Sequence, residues 1–193
     1  MIRSSVRWLA LGLAGGVLNV ATAHLARTLA FPLLFEASGT VLIGVLGGFW
    51  PAVLAGVVSQ SVLAIRGTEW LAFVPVHAAI AFYTVRAVRE GWLHGPIRAV
   101  AAGGVIGLAA AVVSWPIAFA LFGGILGAPL APVRELLTSA GIPLRWAGYG
   151  ARLIGEVLDK VVTVLLVVVA LRLAGRGTGR PATDANATPP SEP

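Results

Sequence analysis

The chain has 193 residues, 58% of them hydrophobic and 11% charged, with a formal net charge of +6 and no cysteine. Soluble domains carry about 25% charged residues, and a chain this short has too little interior to hide so much apolar surface. With a mean hydropathy of +0.90, the composition points to an integral membrane protein. The missing cysteines exclude disulfides, thiolate metal sites and cysteine nucleophiles. Arginines scattered between apolar runs, rather than gathered in a patch, argue against a nucleic-acid partner.

In chain order, apolar runs broken by charge, proline or glycine predict an all-α, six-transmembrane-helix bundle over residues 1–174, with spans at about 5–24, 37–50, 52–66, 70–88, 98–122 and 148–174. Arg3 and Arg7 precede the first run, and Ala21-Thr22-Ala23 mimics a cleavage site, but more membrane sequence follows, so a retained helix is expected. Its small residues, Ala10 and Ala14 with Gly12 and Gly16, form a strip for close helix approach, internal or with another subunit. Spans two and three are short and separated only by Gly47-Gly48-Phe49-Trp50-Pro51, so a single bent hairpin is the alternative there. Between spans five and six, residues 123–144 carry several prolines and glycines, and 133–137 read as a short surface helix in a lid-like loop. Residues 175–193, rich in Gly, Pro, Ala and Thr, read as a disordered cytoplasmic tail.

Six spans put both termini on one side. With that side cytoplasmic, eight arginines lie inside and five outside, the N-in, C-in arrangement of a multi-pass protein of a bacterial cytoplasmic membrane. Trp8, Trp50, Trp70, Trp92 and Trp146 fall near span ends and read as interface anchors.

Ionisable residues inside a membrane are costly, which makes them the first candidates for function. The last span holds Arg152, Glu156, Asp159 and Lys160. Arg152, Glu156 and Lys160 recur every fourth residue, so they share one helix face as a self-neutralising ladder. Asp159 points off that face and needs a partner on another helix or a ligand. Glu36 precedes the second span and is either a dipole-stabilising cap or a polar contact facing the same cavity as Lys160. His77 lies mid-span as either a hydrogen-bonded neutral imidazole or a metal ligand, and His24 and His94 fall near opposite faces, so the three cannot form one metal site. Ser114-Trp115-Pro116 interrupts the fifth span with either an ordinary kink or an exposed carbonyl. No Walker loop, HExxH or GxSxG motif occurs, so neither an enzyme nor a bound cofactor is expected.

Phe35-Glu36-Ala37-Ser38-Gly39-Thr40 and Asp159-Lys160-Val161-Val162-Thr163, with the Gly47–Pro51 turn and Ser114-Trp115-Pro116 between them, resemble in order the motifs of S components of energy-coupling factor (ECF) transporters, the substrate-binding subunits of bacterial vitamin uptake. The resemblance runs from the first helix to Leu173. Two positions depart from it, Glu36 where the family pattern has Asp and His77 where it has Asn. It implies a subunit that captures a micronutrient from the outer face and docks through Ala10, Gly12 and Ala14 onto a membrane coupling subunit driven by ATPase subunits. It further implies a cavity lined by Glu36, Thr40, His77, Asp159, Lys160 and Thr163, under a lid formed by the long loop. The competing readings are a membrane sensory module that binds a small ligand without transport and, more remotely, a membrane enzyme using Glu36, Asp159 or His77 as acid–base groups.

Overall fold

The computed structural model describes residues 2–29, 31, 33–123 and 130–175. The tail beyond Gly175, the side chain of Arg3, Arg176 and Arg180, and residues 124–129 of the long loop lie outside the described residues. The described residues form seven α-helices and no strand: α1 (Ile2–Thr28), α2 (Ser38–Gly47), α3 (Phe49–Leu63), α4 (Val74–Arg89), α5 (Pro96–Phe122), α6 (Ala131–Ser139) and α7 (Leu144–Leu173). Single 3-10 helices, Thr68–Phe73 and Trp92–His94, lead into α4 and α5.

Three stretches are long and apolar enough to cross a membrane: Ser5–Thr28, Thr68–Arg89 and Pro96–Phe122. The helices Ser38–Gly47 and Phe49–Leu63 are apolar but shorter. At 30 residues, α7 reaches about 45 Å and is long enough, but its four central charges keep it out of that apolar set. Helices α2 and α3 are separate. Gly48, at φ 84°, is the one residue between them, and it turns the chain back through a conformation that side chains disfavour. The short helix expected at 133–137 extends over Ala131–Ser139. Pro116 does not break α5, which runs through it.

Small residues set how closely the helices approach. A Cβ on Gly107 of α5 would stand 2.5 Å from the Cα of Val157, and one on Gly103 would stand 2.5 Å from the Cα of Val161. These backbones therefore touch where α7 carries its charges. Gly39 of α2 lies equally close to the backbone of Gly15 on α1. Gly12 and Gly16 face inward onto Leu54 and Val58 of α3, whereas Ala10 and Ala14 are exposed. The main apolar core joins α2, α4, α5 and α7 through Val41, Ile80, Ile106 and Val164. Trp50 and Trp146 are well exposed. Trp70 instead packs on that core, its ring 5.8 Å from Phe73 and 5.9 Å from Phe122. The end of the bundle where α1 stops and α2 starts is termed the upper end below.

Candidate functional site

Two buried polar clusters occupy the upper half. The first belongs to α7. Four-residue spacing stacks Arg152, Glu156 and Lys160, with Arg152 Nη2 3.3 Å and Lys160 Nζ 3.0 Å from the oxygens of Glu156. Lys160 also donates to Asp159 Oδ2. Glu156, Asp159 and Lys160 are completely buried. The oxygens of Glu156 sit at ion-pair distance from both cations but receive no aligned hydrogen bond. Arg152 closes the upper end of the ladder, donating from Nε to Ser114 Oγ at 2.7 Å, with its guanidinium 5.6 Å from the centre of the Phe73 ring. Ser114 thus serves α7 through its hydroxyl.

Asp159 reaches the segment between α1 and α2. Its Oδ1 accepts from the backbone N–H of Leu34 at 3.0 Å and of Phe35 at 2.7 Å. Phe35 has φ 49°, the left-handed region that costs a bulky residue about 1–3 kcal/mol. Its carbonyl accepts from Thr22 Oγ1 at 2.6 Å and Ser38 Oγ at 3.0 Å. The strained turn is thereby held from α1, α2 and α7 at once.

The second cluster carries no formal charge. Helix α2 begins without a side-chain cap of its own, since Ala37 holds the N-cap position. Asn19 of α1 supplies the missing acceptor: its Oδ1 takes the N–H groups of Gly39 at 2.7 Å and Thr40 at 3.1 Å. Its Nδ2 donates to Thr40 Oγ1 at 2.9 Å and, at longer range, to Ser59 Oγ and Ala55 O. Thr40 Oγ1 lies 3.0 Å from His77 Nδ1, and His77 Nε2 lies 2.8 Å from Gln60 Nε2. Because the Gln60 amide donates, His77 Nε2 accepts and Nδ1 carries the proton. The chain of bonds ends at Gln60 Oε1, which is buried and has no partner among the described residues.

Above Gln60 lies a cavity of about 80 Å³. Asn19, Ser59 and Gln60 line it deep in the bundle, Glu36 lines it higher up, and His24, Arg27 and Arg66 stand toward the upper end. Glu36 does not cap α2 and forms neither a hydrogen bond nor an ion pair among the described residues. It lies within electrostatic reach of Lys160, which Glu156 and Asp159 already neutralise. A larger groove of about 420 Å³ opens sideways between α1, α2 and α7, lined mainly by apolar groups such as Leu25, Phe31 and Leu166.

The six candidate residues therefore divide. Thr40 and His77 belong to the neutral network, Asp159 and Lys160 to the charged cluster, and Glu36 to the cavity. Thr163, buried with an unpartnered hydroxyl, lines the side groove instead. His77 lies within electrostatic reach of Lys160 and Glu156, so the two clusters are neighbours. No three His, Asp or Glu side chains converge to hold a metal ion among the described residues. Reading the sequence for charge passed over Asn19, Ser59 and Gln60. Their signal was an amide or hydroxyl inside an apolar run, as in Leu18-Asn19-Val20 and Val58-Ser59-Gln60. No family model, curated protein or solved structure matches the chain.

Proposed function

We propose that the chain is the substrate-binding membrane subunit of an ECF-type importer that captures a vitamin or related micronutrient from the outer face of a bacterial cytoplasmic membrane. The observation that carries this reading is that the two motifs behind the resemblance meet at Phe35 and Asp159, 124 residues apart along the chain, with Glu36 of the first motif lining a polar cavity. Asp159 holds the backbone just before Glu36, Thr40 anchors His77, and His77 anchors Gln60 under the cavity. Helical bundles place ligand sites between helices in this way. On this reading the upper end is the outer face, with both termini inside, and Glu36 contacts the ligand. Asp159 and Lys160 hold the surrounding frame. Ala10 and Ala14, exposed on α1, meet the coupling subunit, while Gly12 serves the packing of α1 on α3.

The test is affinity purification of the tagged full chain from membranes of its native host, solubilised in mild detergent. Co-purification of a membrane coupling subunit and ATPase subunits supports the importer. Recovery of the chain without either, or with a histidine kinase in their place, sinks it. Ala14→Trp on the exposed strip is expected to remove the coupling subunit while leaving the purified chain monodisperse.

A further inference from the structure

The cavity under Glu36 also carries information about what enters it, and this step rests on the reading of the chain as a binding subunit. Its volume of about 80 Å³ gives room for about five to eight water-sized groups. Drug-sized ligands occupy pockets of roughly 300–1,000 Å³, so a bicyclic vitamin does not fit and a molecule of a few heavy atoms does.

Charge then selects among small molecules. In the charged cluster, Arg152 and Lys160 balance Glu156 and Asp159. Glu36 is the carboxylate left over, and it faces the cavity without an ion-pair partner among the described residues. Beneath it Gln60 forms part of the floor, its Oε1 sealed off and without a donor among the described residues. Glu36 is the group that asks for N–H donors and for positive charge. The entrance has the opposite character: Arg27 and Arg66 are exposed, line the same cavity and have no carboxylate within ion-pair distance among the described residues. Arg27 lies about two helical turns above Asn19 on α1, with Glu36 between those levels. A lone cation meets two guanidinium groups on its way in, and a lone anion meets a carboxylate at the bottom. A molecule with an amine at one end and an acid at the other satisfies both.

We infer that the cavity formed by Asn19, Glu36, Gln60, Arg27 and Arg66 binds a small zwitterionic amino acid, with the amino group inward on Glu36 and the carboxylate outward on the two arginines. Lys160, although the most conspicuous cation in the chain, does not contact it.

The experiment is calorimetric titration of the full chain in lipid nanodiscs with glycine, β-alanine and γ-aminobutyrate, and with ethylamine and propionate as the two separated halves. At least one of the three amino acids is expected to bind at least a hundredfold more tightly than either half. Glu36→Gln should weaken that binding at least tenfold with an unchanged melting temperature, since Glu36 makes no structural bond. Glu36→Asp should restore part of it. Arg27→Gln with Arg66→Gln should cost about tenfold. Binding of ethylamine as tight as that of the amino acids overturns the proposal, as does equally tight binding of propionate, binding that Glu36→Gln leaves intact, or binding of none of the five. The two readings fail separately. Amino-acid binding without ATPase partners removes the importer and leaves the recognition site, whereas ATPase partners without amino-acid binding do the reverse.

Discussion

On α7, Arg152, Glu156, Lys160 and Asp159 close their charges on one another and on the backbone of Leu34 and Phe35, whereas the uncharged chain from Asn19 through Thr40 and His77 ends at a Gln60 oxygen that meets no donor among the described residues. Both clusters are buried, and both link helices distant in sequence. They differ in what remains available. A buried ion pair consumes its members, because each charge must be matched to offset its desolvation. A neutral network can afford one open valence, since an unpaired amide oxygen costs about 1–3 kcal/mol rather than the several demanded by an unpaired ion. The ladder is therefore frame, and the proposed recognition falls at the open end of the neutral network, beside Glu36.

Lys160→Met is the largest lever on this contrast. It leaves Glu156 and Asp159 buried with Arg152 alone to balance them, and removing one partner of a buried pair costs about 3–5 kcal/mol, roughly 6–20 °C in melting temperature for a chain of this length. Thermal denaturation in detergent measures the drop, and adding Glu156→Gln should recover part of it by removing the surplus charge. If Lys160→Met instead kept its melting temperature and lost ligand binding, the ladder would belong to the site and the contrast would break. Gly107→Leu comes next. Its side chain must enter where a Cβ already stands 2.5 Å from the Cα of Val157, so α5 and α7 have to separate. Overpacking of this kind costs about 1–3 kcal/mol or more, and the melt should fall accordingly, whereas Gly104→Leu on the same helix, with open space around it, should leave it unchanged.

Asp159→Asn acts more locally. The amide keeps an acceptor for Leu34 and Phe35 but gives up charge-assisted bonds worth about 1.5–3 kcal/mol, and the left-handed Phe35 loses part of what holds it. Hydrogen exchange at the amides of Leu34 and Phe35 should accelerate about tenfold or more, with amides in the middle of α5 unchanged. Uniform acceleration across the bundle would make Asp159 a global support, no different from Lys160.

Much of this plan was written in the helix-period apolar runs, because lipid imposes long helices whatever their partners. The four-residue spacing of Arg152, Glu156 and Lys160 likewise announced their pairing, since it depends on one helix alone. What the sequence hid depends on which helices meet. Asp159 was legible as needing a partner, but its partners are two backbone N–H groups of a turn, which carry no residue-type signal. Asn19 reads as a stray amide until α2 is seen to start at Ala37 without a cap of its own. Glu36 read either as a cap or as a polar contact facing a cavity, and the choice was hidden until the cap was seen to come from α1, which leaves Glu36 lining the cavity. The strip of small residues on α1 shows the same limit. Periodicity grouped Gly12 with Ala10 and Ala14, and only the position of Leu54 separates them.

Gln60→Met should have the smallest effect on the fold and so draws the contrast most finely. The thioether matches the length of the amide side chain and fills nearly the same space. The substitution removes the bond to His77 Nε2, worth about 1 kcal/mol, but it also removes a buried oxygen that has no partner, a gain of about 1–3 kcal/mol. The two nearly cancel once the newly unpaired His77 nitrogen is counted, so the melting temperature should stay within a few degrees of the parent. Titration of the same sample with the tightest-binding amino acid should show affinity lowered severalfold, because the polar floor beneath Glu36 is gone. Lys160→Met is expected to melt early and Gln60→Met is not, while Gln60→Met weakens recognition in a protein that still melts normally. Were Gln60→Met to melt as early as Lys160→Met, the neutral network would be as structural as the ladder, and its open end would hold no ligand.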